Sequence, residues 1–330
     1  MFKAIRTLLL TLGASALAGA AVAATPLPTG PERVVLPIVD FVFGAPVVEV
    51  RLNGGPAHRF KFDSGSMELI DGASAASEGI RQTGVTRLVE INKTEFMPVS
   101  DTQVRLGDLD LGTVSMALMP ATGWNHPPGI DGMIGKTLLL RYVVTMDVGG
   151  RQMILTRPDA YAVPEGATVL PMGELHGLFH VPAALDGAAG EFGLDTGLTS
   201  HVIVFPAFDQ AHGLALRYGE SAISANAAGT TGGKTKVRQA KGEALMLGGG
   251  VVAAPQVLIL NEGAGVGGFG QMAGLIGMPA LAQFTVTFDA PHKRLILAAA
   301  TLPTPAPTPA ATVVEPPLPP AEPAPLDPPY

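Results

Sequence analysis

Two aspartates in this 330-residue chain sit in matching surroundings. Asp63 lies in "RFKFDSGSMELI" (59–70) and Asp195 in "EFGLDTGLTSHVIV" (191–204). Each ends an alternating, strand-like apolar run and is followed by a hydroxyl residue and a glycine. An ionisable group placed where the pattern marks core costs free energy unless a partner compensates. Asp, Thr and Gly are also turn residues, so either stretch alone reads equally well as a turn. Brought together, however, the two would have a defined chemistry. Carboxylates about 3 Å apart cannot both ionise readily, so they share a proton and titrate in two separated steps. The ionised member can take a proton from a water held between them, while the protonated member polarises a carbonyl under attack. Such a pair hydrolyses an amide with no metal, cofactor or covalent nucleophile.

The sequence contains a device for pairing them, because it repeats itself. "DGMIGKTLLLRYVVTMDVGGRQMIL" from Asp131 matches "AGLIGMPALAQFTVTFDAPHKRLIL" from Ala273, an offset of 142 residues. "LGDLDLGTVSMALM" from Leu106 matches "LGGGVVAAPQVLIL" from Leu247 at offset 141, and "FKFDSGS" matches "FGLDTGL" at offset 132. Three blocks in one order indicate two copies of one unit. The change of offset places a nine-residue insertion in the second copy, where "NAAGTTGGK" (226–234) reads as a mobile Gly-rich loop. Each copy consists of short alternating strands, Gly or Pro turns and one brief helix after an Ile-Gly pair. The expected fold is all-β and two-lobed, with an Asp from each lobe at a pseudo-twofold axis and a cleft between the lobes. The expected division is a first lobe over 24–160 and a second over 161–300.

On these motifs the chain resembles the pepsin-like and retropepsin-like aspartic peptidases, over roughly residues 35–300. In that family each β-barrel lobe carries Asp-Thr/Ser-Gly, then Ser or Thr, and later an apolar-apolar-Gly motif. Asp63-Ser64-Gly65-Ser66 and Met133-Ile134-Gly135 match in the first copy; Asp195-Thr196-Gly197 and Leu275-Ile276-Gly277 match in the second. The resemblance implies an endopeptidase whose dyad is Asp63 and Asp195, with Ser64 and Thr196 bracing the lobes beneath it. Gly65 and Gly197 would let backbone amides reach the carboxylates, and Ile134-Gly135 and Ile276-Gly277 would be structural neighbours of the active loops. It implies a peptide or protein substrate, no cofactor or metal, and a monomer, since the dyad is intramolecular. Ser66 would donate to Asp63. One departure stands out: Leu198 occupies the corresponding place in the second copy and cannot donate. A second reading is therefore a pseudo-peptidase that binds extended peptides or another ligand in the same cleft without cutting them. A flap tyrosine is also absent from "VEINKTEFMPVS" (89–100), which offers Phe96 and Met97 instead.

The remainder bounds the setting. Residues 1–23 have Lys3 and Arg6 ahead of an apolar stretch and end in Ala21-Val22-Ala23, the pattern of a cleaved signal peptide. They predict export, to the periplasm or beyond, with no stable membrane span after cleavage. Residues 301–330 hold twelve prolines and read as an extended, disordered tail. A formal net charge of −7 leaves no basic stripe for nucleic acid, and the absence of cysteine removes disulfides, thiolate zinc sites and cysteine nucleophiles. Three other patterns compete for attention. "GAGVGGFG" (263–270) mimics a dinucleotide fingerprint with Asp289 about 20 residues on, but Gly274, Gly277 and Pro279 would break the helix it needs. His176 and His180 have ligand spacing but read as a β-hairpin with no third ligand. Asp108 and Asp110 read as a turn.

Overall fold

A computed structural model describes residues 30–89, 94–120, 128–219, 223–228, 234–263 and 265–301. The leader, the proline-rich tail and most of "GWNHPPG" (123–129) lie outside the described residues. The fold is the expected one: all-β, with two pepsin-like lobes.

An eight-stranded sheet built between Asp40 and Ile134 forms the first lobe, and a ten-stranded sheet between Gly173 and Gly277 forms the second. The strands that carry the aspartates have the same neighbours in both. Ala57–Phe62 runs parallel to Gly132–Ile134 with Phe62 opposite Ile134, and Ala188–Asp195 runs parallel to Gly274–Gly277 with Leu194 opposite Ile276. After each aspartate the chain turns into a short strand, Leu69–Ile70 or Val202–Val204. Each short strand pairs antiparallel to that same Ile-Gly strand and parallel to Leu109–Leu118 or Gln256–Leu260. Each Ile-Gly strand thus lies between the strand before the aspartate and the strand after it, which holds both ends of the Asp loop.

A third sheet, of six strands, is shared by the lobes. Its order is Arg33–Pro37, Gln152–Thr156, Val143–Asp147, Phe284–Asp289, Arg294–Ala299, Thr168–Pro171. Its two middle strands are the repeated "VVTMD" and "TVTFD". They cross antiparallel with Thr145 opposite Thr287, and the two hydroxyls hydrogen-bond at 2.8 Å. These threonines are 142 residues apart, the offset between the matching sequence blocks that carry them.

Phe60, Phe62, Phe192, Phe205 and Phe288 are among the largest fully buried side chains. Phe62 meets Phe288 edge-to-face at 6.5 Å, which packs the first Asp strand onto the shared sheet. Two hairpins project from the lobes, Gly84–Val89 with Thr94–Leu106 and Ile223–Ala228 with Lys234–Lys241. Val89, near the end of the first, packs against a cluster of the second lobe that includes Leu178, Phe205 and Leu275.

The second hairpin corrects the sequence reading. Residues 226–228 and 234 are not loop but ladder, with Asn226 opposite Lys236. The Gly and Thr content suggested an insertion without structure, but the flanking residues still alternate well enough to pair. Residues 229–233 lie outside the described residues.

Candidate active site

Asp63 follows the strand Ala57–Phe62, and Asp195 is the last residue of Ala188–Asp195. In both strands the phenylalanines point into the core and the aspartate continues the opposite face, as alternation requires. The two Asp loops then approach each other at the seam between lobes. A Cβ added to Gly65 would stand 2.9 Å from Cγ of Asp195, and one added to Gly197 would collide with Oδ2 of Asp63. Each glycine is pressed against the opposite lobe's carboxylate, so a side chain at either place would displace a catalytic candidate. Within its own loop each glycine amide donates to its aspartate, Gly65 N to Asp63 Oδ1 at 3.0 Å and Gly197 N to Asp195 Oδ1 at 2.9 Å.

Beneath the carboxylates, Ser64 and Thr196 cross-link the lobes. Ser64 N donates to Thr196 Oγ1 at 2.9 Å and Thr196 N donates to Ser64 Oγ at 3.0 Å. Ser64 Oγ then donates to Leu194 O at 3.0 Å, and Thr196 Oγ1 donates to Phe62 O at 3.1 Å. All four bonds are buried, and both hydroxyls are fully used. Ile134 and Gly135 lie behind the first loop: Asp63 N donates to Ile134 O at 3.0 Å, and a Cβ on Gly135 would collide with the Asp63 carbonyl. Ile276 and Gly277 are fully buried behind the second loop, where a Cβ on Gly277 would strike Ser200 O.

Ser66 does not play the part expected of it. Its hydroxyl donates to Met67 O at 2.9 Å instead of to Asp63. The cation beside Asp63 is a lysine. Lys61 Nζ stands 3.5 Å from Asp63 Oδ2, and the Lys61 side chain is only 13% exposed. Sequence reasoning passed over Lys61, although a residue two before Asp63 on the same strand must share its face. The equivalent position in the second lobe is Gly193, where a Cβ would stand 2.7 Å from Leu275. Glu68 was also missed. It is buried and accepts from Thr137 N at 2.6 Å, which ties the first Asp loop to the start of the helix Lys136–Arg141.

These surroundings separate the two aspartates electrostatically. Burial pushes the Asp195 carboxyl up to about 7, and the Asp63 charge pushes the same way. The Lys61 charge and the Gly197 and Leu198 amides pull against them and do not win. Leu198 itself is half-buried and packs on the cluster around Ile203, Phe205 and Leu275. It contributes apolar surroundings to Asp195 and no hydroxyl. Over a broad range below neutral pH, Asp195 therefore carries a proton, which is the state a carbonyl-polarising acid needs.

Each lobe also has an apolar cluster that takes in residues just past its Asp loop, Met67 and Leu69 in the first and Leu198 and Ile203 in the second. Met67, Leu69, Leu88, Met97, Met119 and Met133 cluster in the first lobe, and Leu178, Phe205, Val266, Met272 and Leu275 in the second. Phe96, by contrast, is 75% exposed and faces away from the first cluster. Lys136 joins the lobes at one edge, bonding to Glu174 Oε1 at 2.8 Å and Gly177 O at 2.7 Å, with its ammonium 4.4 Å from the Phe179 ring.

The competing patterns resolve into structure. His176 and Gly177 form the turn of a hairpin, His180 bonds to Glu191 at 2.8 Å, and His176 stacks on Phe269. "GAGVGGFG" leads only into a short 3-10 turn at Gly265–Gly268. Asp289 is fully buried and bonded to His292 and Arg294. Asp108 sits in the turn between Leu106 and Leu109, and Asp110 Oδ1 accepts from Gly112 N.

No family model matches the chain, and no curated protein sequence does. A solved structure does resemble it: the aspartic proteinase from Irpex lacteus, with a TM-score of 0.52 and 12% identity, covers 83% of this chain and 99% of its own. At that identity the similarity establishes the fold, which is that of the pepsin-like aspartic proteinases.

Proposed function

We propose that the protein is an aspartic endopeptidase with Asp63 and Asp195 as its dyad. The observation that carries this reading is mutual: each Asp loop presses its glycine against the other lobe's carboxylate, above the Ser64–Thr196 cross-link. A water between the carboxylates gives a proton to ionised Asp63 and attacks the peptide carbonyl. Asp195 gives its proton to the carbonyl oxygen, forming a gem-diol. Collapse of the gem-diol returns a hydroxyl proton to Asp195, and the departing amine takes the proton held by Asp63 as the C–N bond breaks, which restores the starting dyad. The substrate is an extended peptide or protein, with apolar side chains seated on the Met-rich and Leu-rich walls.

Residues 1–23 support export to the periplasm or outside the cell, and an intramolecular dyad supports a monomer. Leu198 favours a second reading, a pseudo-peptidase that holds peptides in the same place without cutting. A peptide-library digest from acid to neutral pH, with and without a pepstatin-type transition-state mimic, decides between them. Cleavage blocked by the mimic supports the enzyme. Peptide binding without cleavage at any pH overturns it in favour of the second reading.

A further inference from the structure

We infer that Lys61 is the positioning residue that assigns unequal roles to the two aspartates, holding Asp63 as the base; this rests on the dyad proposed above. Aspartic dyads need one ionised and one protonated member, and a near-symmetric pair has no intrinsic reason to choose. Hydroxyl donors do not make the choice here. Ser66 donates to Met67 O, and Leu198 has no hydroxyl. The cation does, because it exists in one lobe only. Lys61 Nζ lies 3.5 Å from Asp63 Oδ2, while Gly193 at the matching place in the other lobe carries no side chain.

The neighbourhood leaves Lys61 committed to the dyad. Its strand neighbours across the ladder are Val47 and Met133, both uncharged. On its own strand Arg59 pairs with Asp40, and His58 bonds to Glu78. From Ala45–Leu52, Glu49 shares the face of Val47 and Lys61 but is exposed and stands opposite Arg59 in the ladder. Asp131 accepts from Arg59 N and from the Ser74 hydroxyl. Glu68 accepts from Thr137 N, and Lys136 is bound to Glu174 and Gly177 across the seam. Asp195, from the other lobe, also faces this corner, where the Lys61 charge reaches it. An ammonium held among apolar neighbours keeps its charge by staying with an anion, and Asp63 is the anion it meets.

A fixed cation favours the ionised form of both carboxylates, and most strongly that of the nearer one. Its removal should therefore raise both macroscopic steps of the pair and make the two aspartates more alike. The proton of the active state would then divide between Asp63 and Asp195 instead of resting on Asp195.

The test is a carbon-13 carboxyl titration of the full-length mature protein, wild type against Lys61→Met, Lys61→Gln and Lys61→Arg, alongside pH profiles of kcat/KM. Both dyad steps should move up by about one unit in Lys61→Met and Lys61→Gln, with the Asp63 resonance moving more, and Lys61→Arg should restore them. The limbs of the activity profile should move by the same amount and in the same direction. Two neutral replacements are included so that one folded variant, checked by its circular dichroism, is in hand. Unmoved titrations in a folded neutral variant would overturn the role of Lys61, even in an active enzyme. If the wild type cuts no peptide, the peptidase reading fails by itself, and the carboxyl titration still decides for or against Lys61.

Discussion

Ser64 and Thr196, 132 residues apart in the chain, exchange two backbone-to-hydroxyl hydrogen bonds in the interior. Each hydroxyl then closes the circuit by donating to a carbonyl beside the partner aspartate's strand, Leu194 O or Phe62 O. This circuit lies beneath the two carboxylates and ties their loops together. Ser64→Ala should strand the Thr196 N–H and the Leu194 carbonyl and cost about 1–3 kcal/mol. Thr196→Val should do the same to Ser64 N–H and Phe62 O. Because both changes act on one circuit, the double variant should lose less than the sum of the two, which chemical denaturation will show.

Gly197→Ala should be far more damaging to activity than its size suggests. The new methyl would occupy the space of Asp63 Oδ2 and push the carboxylate aside. A displacement of about 1 Å costs on the order of 100-fold in rate for a positioned catalytic group. Steady-state kinetics should place that loss in kcat. Gly65→Ala, whose methyl meets Asp195 Cγ at 2.9 Å, should behave alike.

The raised Asp195 sets two pH dependences. Activity should fall as pH rises through about 7, where Asp195 loses the proton it donates. Stability should follow the same direction. A carboxyl whose folded pKa lies above its unfolded value near 3.8 contributes fully below that value, and the contribution is lost as pH rises through about 7. Melting curves of Asp195→Asn should be flatter across this window than those of the wild type, and higher at neutral pH.

Leu198→Thr would place a hydroxyl where the second lobe has none. A donor to the charged form of Asp195 lowers its pKa, so the upper limb of the pH–rate profile should move toward acid, by roughly one unit. The exchange removes apolar surface from the cluster around Ile203 and Leu275, so a small loss of melting temperature should accompany it.

Much of this was legible because repetition is a strong signal. The offset of 142 residues placed Thr145 on Thr287, and the structure shows them bonded at the middle of the shared sheet. The matching "FKFD" and "FGLD" blocks marked both aspartates, and the structure puts each on the strand face opposite the core phenylalanines. What escaped depended on contacts between segments distant in sequence, or on a side chain choosing among acceptors. The Ser66 hydroxyl donates to the backbone carbonyl of Met67, the next residue, and not to Asp63. Lys61 was readable in principle from its position two before Asp63, but a lysine in a strand normally reads as solvent-facing, whereas here it sits between Val47 and Met133 in the ladder and pairs with Asp63. The second hairpin was hidden by Gly and Thr residues that mark a loop in composition yet leave pairing strands on either side.

The central claim is that both aspartates are needed for peptide hydrolysis. It is tested most directly by measuring cleavage of one good peptide substrate by wild type, Asp63→Asn and Asp195→Asn, each shown to be folded by its melting curve. The account predicts cleavage by the wild type and none measurable above background by either variant, with peptide binding retained in both. Undiminished cleavage by either folded variant would contradict it.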